Sequence, residues 1–410
     1  MLQHYNKTKL DNGITVLTES VDFVRSCAIG VFIKAGTRDE NNENEGIAHF
    51  IEHLIFKGTK KRDAFSIVEE IEAYGGSMNA YTSKESTCIY ARVLHDQVDK
   101  VLDVFSDIIK NSLFNDDDIQ LEKSVVLEEL KESEDAASEY SHDEYVLRMF
   151  PKHPIGKNIL GHRKSIKNFS KTQINEFIKN NYTSNRIVIV ATGAVDHEKI
   201  IQSTNKYFSN IPFAEDKQEF ITPIKPLKKS WQIRRSVSQC HLLYGRQAWS
   251  YNFSQRMEYM LLNASLSAGM TSRLFRNIRE KYGYAYSIYS YVDMFSDTGL
   301  FGIYAGTEEN KTDKILELVW KEFEQIKQNG LDQDEFKKLK KQYEGNILMG
   351  AESMYNRMER LGRNEIQFKK FISYDESLKK IGSLNIDDIQ ALARELFDPD
   401  HFHTFQLLPK

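Results

Sequence analysis

Ala48-His49-Phe50-Ile51-Glu52-His53-Leu54-Ile55-Phe56-Lys57 is the most informative stretch of the 410-residue chain. Apolar residues at three- and four-residue spacing predict a helix over 47–56. On that helix His49 and His53 are four apart and lie one turn above each other on one face. Two imidazoles so placed can bind one zinc ion. Glu52, three residues from His49, brings a carboxylate to the flank of the same face. A zinc hydrolase needs these parts: ligands that leave one coordination position open, and a carboxylate beside the metal's water. The bland alternative is an accidental pattern on a surface helix. Against it, polar groups inside an otherwise apolar helix are costly without a partner. A third ligand is still required, and the charged stretch after Asn115 offers Glu122 and Glu129. Their separation of seven residues is nearly two turns, so both carboxylates point the same way.

Outward from this motif, β-branched and apolar runs predict strands over 14–19, 26–35, 87–94 and 186–193. Further helices are expected over 65–74 and 96–111, followed by a long charged helical stretch over 115–150. Asn115 is a suitable N-cap for it, with Asp116, Asp117 and Asp118 in the first turn, where the helix dipole favours negative charge. The second half repeats the plan. Asp99-Lys100-Val101-Leu102 follows a strand and precedes a second helix start at Asp116; Asp313-Lys314-Ile315-Leu316 likewise precedes Leu331-Asp332-Gln333-Asp334. The two aspartates opening these segments are 214 positions apart, about half the chain, which points to a duplication. Pro223 and Pro226 mark the join. The expected organisation is a metal-binding N-terminal domain over 1–214, a linker over 215–229, and a homologous C-terminal domain over 230–410 without the motif.

Composition excludes other classes. With 55 basic and 59 acidic residues the net charge is -4, without the basic excess of a nucleic-acid binder. No stretch approaches the roughly 18 apolar residues of a membrane span. Cys27, Cys88 and Cys240 are scattered and odd in number, which fits free thiols in a reducing compartment. Residues 1–12 are polar and lack the apolar segment of a secretory signal, so the expected location is cytoplasmic.

The motif and its surroundings resemble the pitrilysin family of zinc metallopeptidases, the inverzincins with His-x-x-Glu-His, in its short type. The likeness is to bacterial homologues of the mitochondrial processing peptidase β subunit, and it runs along nearly the whole chain. Glu45-Gly46-Ile47-Ala48, Phe56-Lys57-Gly58-Thr59, His153-Pro154-Ile155-Gly156 and Ile159-Leu160-Gly161 all belong to it. The resemblance implies an α+β fold of two homologous halves, each a mostly antiparallel sheet packed with helices. It implies one zinc ion per chain, held by His49, His53 and Glu129, the last 76 residues after His53. It implies Glu52 as general base and Glu122 as the residue orienting a ligand histidine. Gly75-Gly76-Ser77-Met78-Asn79-Ala80-Tyr81-Thr82 is similar to the family's substrate-binding edge strand, which implicates Asn79, Ala80 and Tyr81. Arg279 and Tyr286, seven apart, resemble its arginine–tyrosine element. The bland reading of that pair is a helix-end arginine and a buried tyrosine.

The implied substrates are peptides bound in extended form by strand addition, without demand for particular side chains. From residue 115 to 144 there are 12 acidic and 2 basic residues. That charge is first that of a solvated helix face; beside a metal it would also draw basic peptides. Long family members carry four such domains around a closed chamber, so a two-domain chain implies a dimer, most simply a homodimer. Arg279 and Tyr286 then act in cis or in trans. The rival class is a catalytically silent assembly subunit or a peptide-binding chamber. The intact His49, Glu52, His53 and Glu129, and the lack of the α subunit's glycine-rich loop around Gly269, favour the catalytic reading.

Overall fold

The computed structural model describes residues 4–215 and 220–410. Residues 1–3 of the polar N-terminal stretch and 216–219 of the expected linker lie outside the described residues. The first half builds one sheet from β1 (His4–Lys9), β2 (Thr15–Ser20), β3 (Ser26–Ile33), β4 (Ser77–Thr82), β5 (Thr87–Leu94) and β6 (Ile187–Gly193). Its spatial order is β1-β2-β6-β3-β5-β4, antiparallel except for β2 against β6. β6 is buried along its whole length and β3 nearly so, because helices cover both faces. Strands buried on both faces read as continuous apolar runs, and for that reason these two are visible in the sequence.

The second half builds a sheet from β7 (Ser230–Arg235), β8 (Cys240–Ala248), β9 (Ala285–Met294), β10 (Gly299–Thr307) and β11 (His403–Pro409). Its order is β7-β11-β8-β10-β9, with only β7 and β11 parallel. Position for position this repeats β2-β6-β3-β5-β4, parallel pair included, and β1 is an addition to the first copy. The fold is α+β with a duplicated topology, as the 214-residue offset implies.

Packing divides the chain differently from the repeat. One compact unit takes the described residues through Lys131, those from Lys157 to Glu215, and Met349–Ser373. The other takes Glu132–Gly156, the residues from Phe220 to Leu348, and Tyr374–Lys410. The stretch expected as one helical run over 115–150 is two helices, Asp116–Asp135 and Ala137–Met149, broken at Ala136, and the chain passes from the first unit to the second at Lys131–Glu132, just before the break. The reason is apolar surface. Tyr145, Met149 and Phe150 bury against Leu243, Leu300 and Phe405 of the second sheet. In the reciprocal exchange, Met354, Met358 and Leu361 of helix Met354–Phe368 bury against Ala28, Phe32 and Val190 of the first sheet. Close approach there needs two glycines: a Cβ on Gly362 would stand 2.4 Å from the Phe32 ring, and one on Gly30 2.8 Å from the Met358 sulfur.

All three cysteines are buried free thiols. Among the described residues no helix is long and apolar enough to cross a membrane.

Candidate metal centre

The motif lies on helix Ile47–Leu54. Ile47, Phe50, Ile51 and Leu54, at helical spacing, are buried in the first unit's core and leave the face of His49, Glu52 and His53 toward the site. The helix enters through Gly46, which has φ 90° and no capping side chain. Only glycine fits, since a Cβ would stand 2.5 Å from the Leu160 carbonyl oxygen. The missing cap is supplied from upstream: the buried Glu40 carboxylate accepts the Gly46 and Ala48 N–H groups at 2.9 and 3.0 Å.

His49 Nε2 and His53 Nε2 face each other at 3.2 Å. The Glu129 carboxylate, from helix Asp116–Asp135, stands 3.7 Å from the first and 3.5 Å from the second. Burial, and then the neighbouring His53, hold His49 down at about 4, so its imidazole is neutral over most of the pH range. The Glu122 carboxylate accepts from His53 Nδ1 at 2.8 Å, which leaves the lone pair on Nε2. Two bare nitrogen lone pairs in that contact repel unless a cation or proton lies between them. Two nitrogens each roughly 2.0–2.1 Å from a tetrahedral zinc ion would be about 3.3 Å apart. Glu129 Oε2 is buried without a hydrogen-bond partner. Facing imidazoles and an orphaned carboxylate oxygen are the donor set of a zinc ion, and the residues fit the metal. Among the described residues His49, His53 and Glu129 are the one group so arranged, with ligand atoms within 4.8 Å of one another.

Glu122 is 2% exposed and also paired with Lys57 Nζ at 2.7 Å. Burial opposes its charge, but the bonds from His53 and Lys57 outweigh it and hold its carboxyl below the usual range. His53 is moved the other way: burial lowers it, yet the Glu122 bond and the Glu129, Glu122 and Glu52 charges leave it raised. Glu122→Ala is therefore expected to weaken zinc affinity by about 10–100-fold, as loss of a ligand's anchoring bond does. Competition with a chromophoric chelator measures it, and unchanged affinity would show that Glu122 does not set the His53 ring.

Glu52 projects beside the triad, and its Oε2 accepts from Thr82 Oγ1 at 2.6 Å. Burial raises its pKa, Glu129 adds to the rise, and Thr82 and His53 oppose it. Thr82 ends β4, whose other side has no neighbouring strand among the described residues. Asn79, Ala80 and Tyr81 all lie on β4. Asn79 Oδ1 accepts the Ala80 N–H at 2.8 Å, a bond that a peptide carbonyl could replace. The Tyr81 hydroxyl points away from this free edge and donates to both Glu359 oxygens, at 3.0 and 2.9 Å.

Arg279 and Tyr286 belong to the second unit, apart from the triad's unit. Arg279 sits on a π-helical turn, Phe275–Glu280, a geometry common at functional sites. Its guanidinium lies 4.5 Å from the Phe275 ring centroid and 5.7 Å from that of Tyr286. Tyr286 is 80% exposed, which corrects the bland reading of a buried tyrosine. Both line a cavity of about 580 Å³ with Gln239, Tyr284 and Thr307. Sequence reasoning missed Lys57, Thr82, Glu40 and Glu359. Lys57 had one signal, its position four residues after His53; the others reach their partners only through the fold.

The Insulinase (Peptidase family M16) profile matches residues 15–163, and the Peptidase M16 inactive domain profile matches 168–343. The motif lies in the first match alone, and the second match begins within the first structural copy, ahead of β6. An uncharacterized zinc protease of Rickettsia felis is 37% identical over 401 residues, covering 97% of this chain and 96% of the relative. An uncharacterized zinc protease of Bacillus subtilis is 34% identical over 395 residues, covering 95% of each. The crystal structure of a protease from Helicobacter pylori superposes with a TM-score of 0.91 over 100% of both chains at 22% identity, a likeness of fold. On these matches, the chain belongs to peptidase family M16.

Proposed function

We propose that the protein is a zinc-dependent endopeptidase that hydrolyses short or unfolded peptides held in extended conformation. The observation that carries this reading is the convergence of His49 Nε2, His53 Nε2 and the Glu129 carboxylate, with Glu52 beside them. A zinc ion in a three-ligand site supplies Lewis acidity toward a carbonyl and a water acidified to a pKa of roughly 7. His49, His53 and Glu129 would hold that ion. Glu122 and Lys57 keep the His53 ring oriented. Glu52 Oε1, the oxygen not engaged by Thr82, takes the proton of the attacking water and delivers it to the leaving amine nitrogen. Its raised pKa suits both halves of that transfer.

Backbone pairing along β4 at Asn79, Ala80 and Tyr81 holds the peptide. Arg279 and Tyr286 supply donors toward the substrate carbonyl or the oxyanion. The acidic helix Asp116–Asp135 favours basic peptides at low salt. We further propose a cytoplasmic homodimer as the enclosing chamber. The testing experiment is hydrolysis of an extended peptide with and without a single backbone N-methyl group in the segment paired with β4. Strand addition predicts that N-methylation at a paired amide weakens cleavage about tenfold, the equivalent of one backbone hydrogen bond and its steric fit. Insensitivity at every position would remove the strand-addition reading.

A further inference from the structure

Strand β4 is an edge strand with a free side, and its two faces are held by different elements. Alternation puts Thr82 on one face and Tyr81 on the other. On the first face Thr82 holds the Glu52 carboxylate at 2.6 Å. Ala80 and Met78, which share that face, pack on the core beneath the motif helix. On the second face the Tyr81 hydroxyl donates to Glu359 at 2.9 and 3.0 Å. Glu359 is 8% exposed and lies on helix Met354–Phe368, 278 positions along the chain from Tyr81. Arg363, one turn on, donates to the same carboxylate at 3.1 Å. Around this contact Tyr81, Tyr90 and Tyr355 form a run of tilted rings, with centroids 6.3 and 4.9 Å apart.

The Glu359 carboxylate meets the Tyr81 hydroxyl and Arg363, neither of them among the candidate catalytic groups of the metal centre. The charge-assisted bond it accepts fixes the strand instead. We propose that Glu359 is a positioning residue for peptide binding: through Tyr81 it holds β4 at the height where Ala80 meets a substrate backbone. Tyr81 thus turns its backbone to Cys88 of β5 while its side chain anchors the strand, and Ala80 presents its backbone to the free edge. The helix that the second half lends to the first unit is thereby part of the peptide-binding apparatus as well as a cover for the sheet. This inference rests on the strand-addition reading above.

The test uses full-length, zinc-loaded wild type, Glu359→Gln, Tyr81→Phe and the double variant, with an extended peptide and its N-methylated counterpart. Each single variant is expected to raise KM for the extended peptide about tenfold, or about 1.4 kcal/mol, with kcat changed less than about twofold. The double variant should resemble Tyr81→Phe, because Gln weakens and Phe abolishes the same bond. The penalty should shrink for the N-methylated peptide, which has already lost its pairing. Peptide affinity, read by fluorescence anisotropy in a Glu52→Gln background, should fall in step with KM. Tyr81→Phe removes only one oxygen and leaves Glu359 paired with Arg363, so it reports even where Glu359→Gln folds poorly. If wild type discriminates against the N-methylated peptide but Tyr81→Phe leaves KM and affinity unchanged, the positioning role is overturned and strand addition stands. If wild type does not discriminate at all, strand addition fails first, and the positioning role falls with it.

Discussion

Glu52→Gln is expected to lower peptide hydrolysis by about 10²–10⁴-fold while leaving zinc content at the wild-type level. Gln keeps the size of the side chain and can still meet Thr82, so the local structure should survive. What disappears is the oxygen able to take a proton. Glu52 is also not among the three groups whose ligand atoms converge. The measurement is kcat on a fluorogenic peptide together with metal analysis of the same preparation. Retained turnover with zinc bound would mean that the proton goes elsewhere.

Glu129→Ala should have the opposite signature, losing the metal first and activity as a consequence. His49 and His53 alone offer two ligands; of the other carboxylates nearby, Glu122 is committed to His53 Nδ1 and Lys57 Nζ at 2.8 and 2.7 Å and Glu52 to Thr82 Oγ1 at 2.6 Å. Zinc affinity should therefore fall by more than the roughly 10–100-fold expected when only a ligand's hydrogen-bonding partner is removed. The rise in Tm that zinc gives the wild type should vanish in the variant at the same metal concentration. Isothermal titration and thermal melts read both. Stoichiometric, tightly held zinc in Glu129→Ala would show that a different carboxylate completes the site.

Much of this site can be read from ten consecutive residues. The spacing of His49, Glu52 and His53 puts them on one helical face whatever surrounds the helix, and the apolar positions between them fix which face is buried. The third ligand is different in kind. Glu122 and Glu129 are equally placed by helical geometry, and only the family resemblance separates them; in the structure one faces His53 Nδ1 and the other faces the two Nε2 atoms. The buried strands β3, β5 and β6 were legible as apolar runs, whereas β1, with mostly exposed positions, gave no such signal.

What the sequence withholds is destination. An amphipathic pattern says that a helix has an apolar face, not which sheet that face will cover. The break at Ala136 and the exchange of helices Ala137–Met149 and Met354–Phe368 were invisible for that reason. Glu359 is the same problem in one residue: nothing near it in the chain identifies Tyr81 as its partner.

The most direct test of the central claim is zinc content measured alongside hydrolysis of a mixed library of unfolded peptides, before and after chelation. The account predicts one zinc per chain, cleavage that stops when the metal is stripped, and recovery when zinc is returned. A chain that holds no zinc, or that cleaves equally well without it, would contradict the assignment of His49, His53 and Glu129.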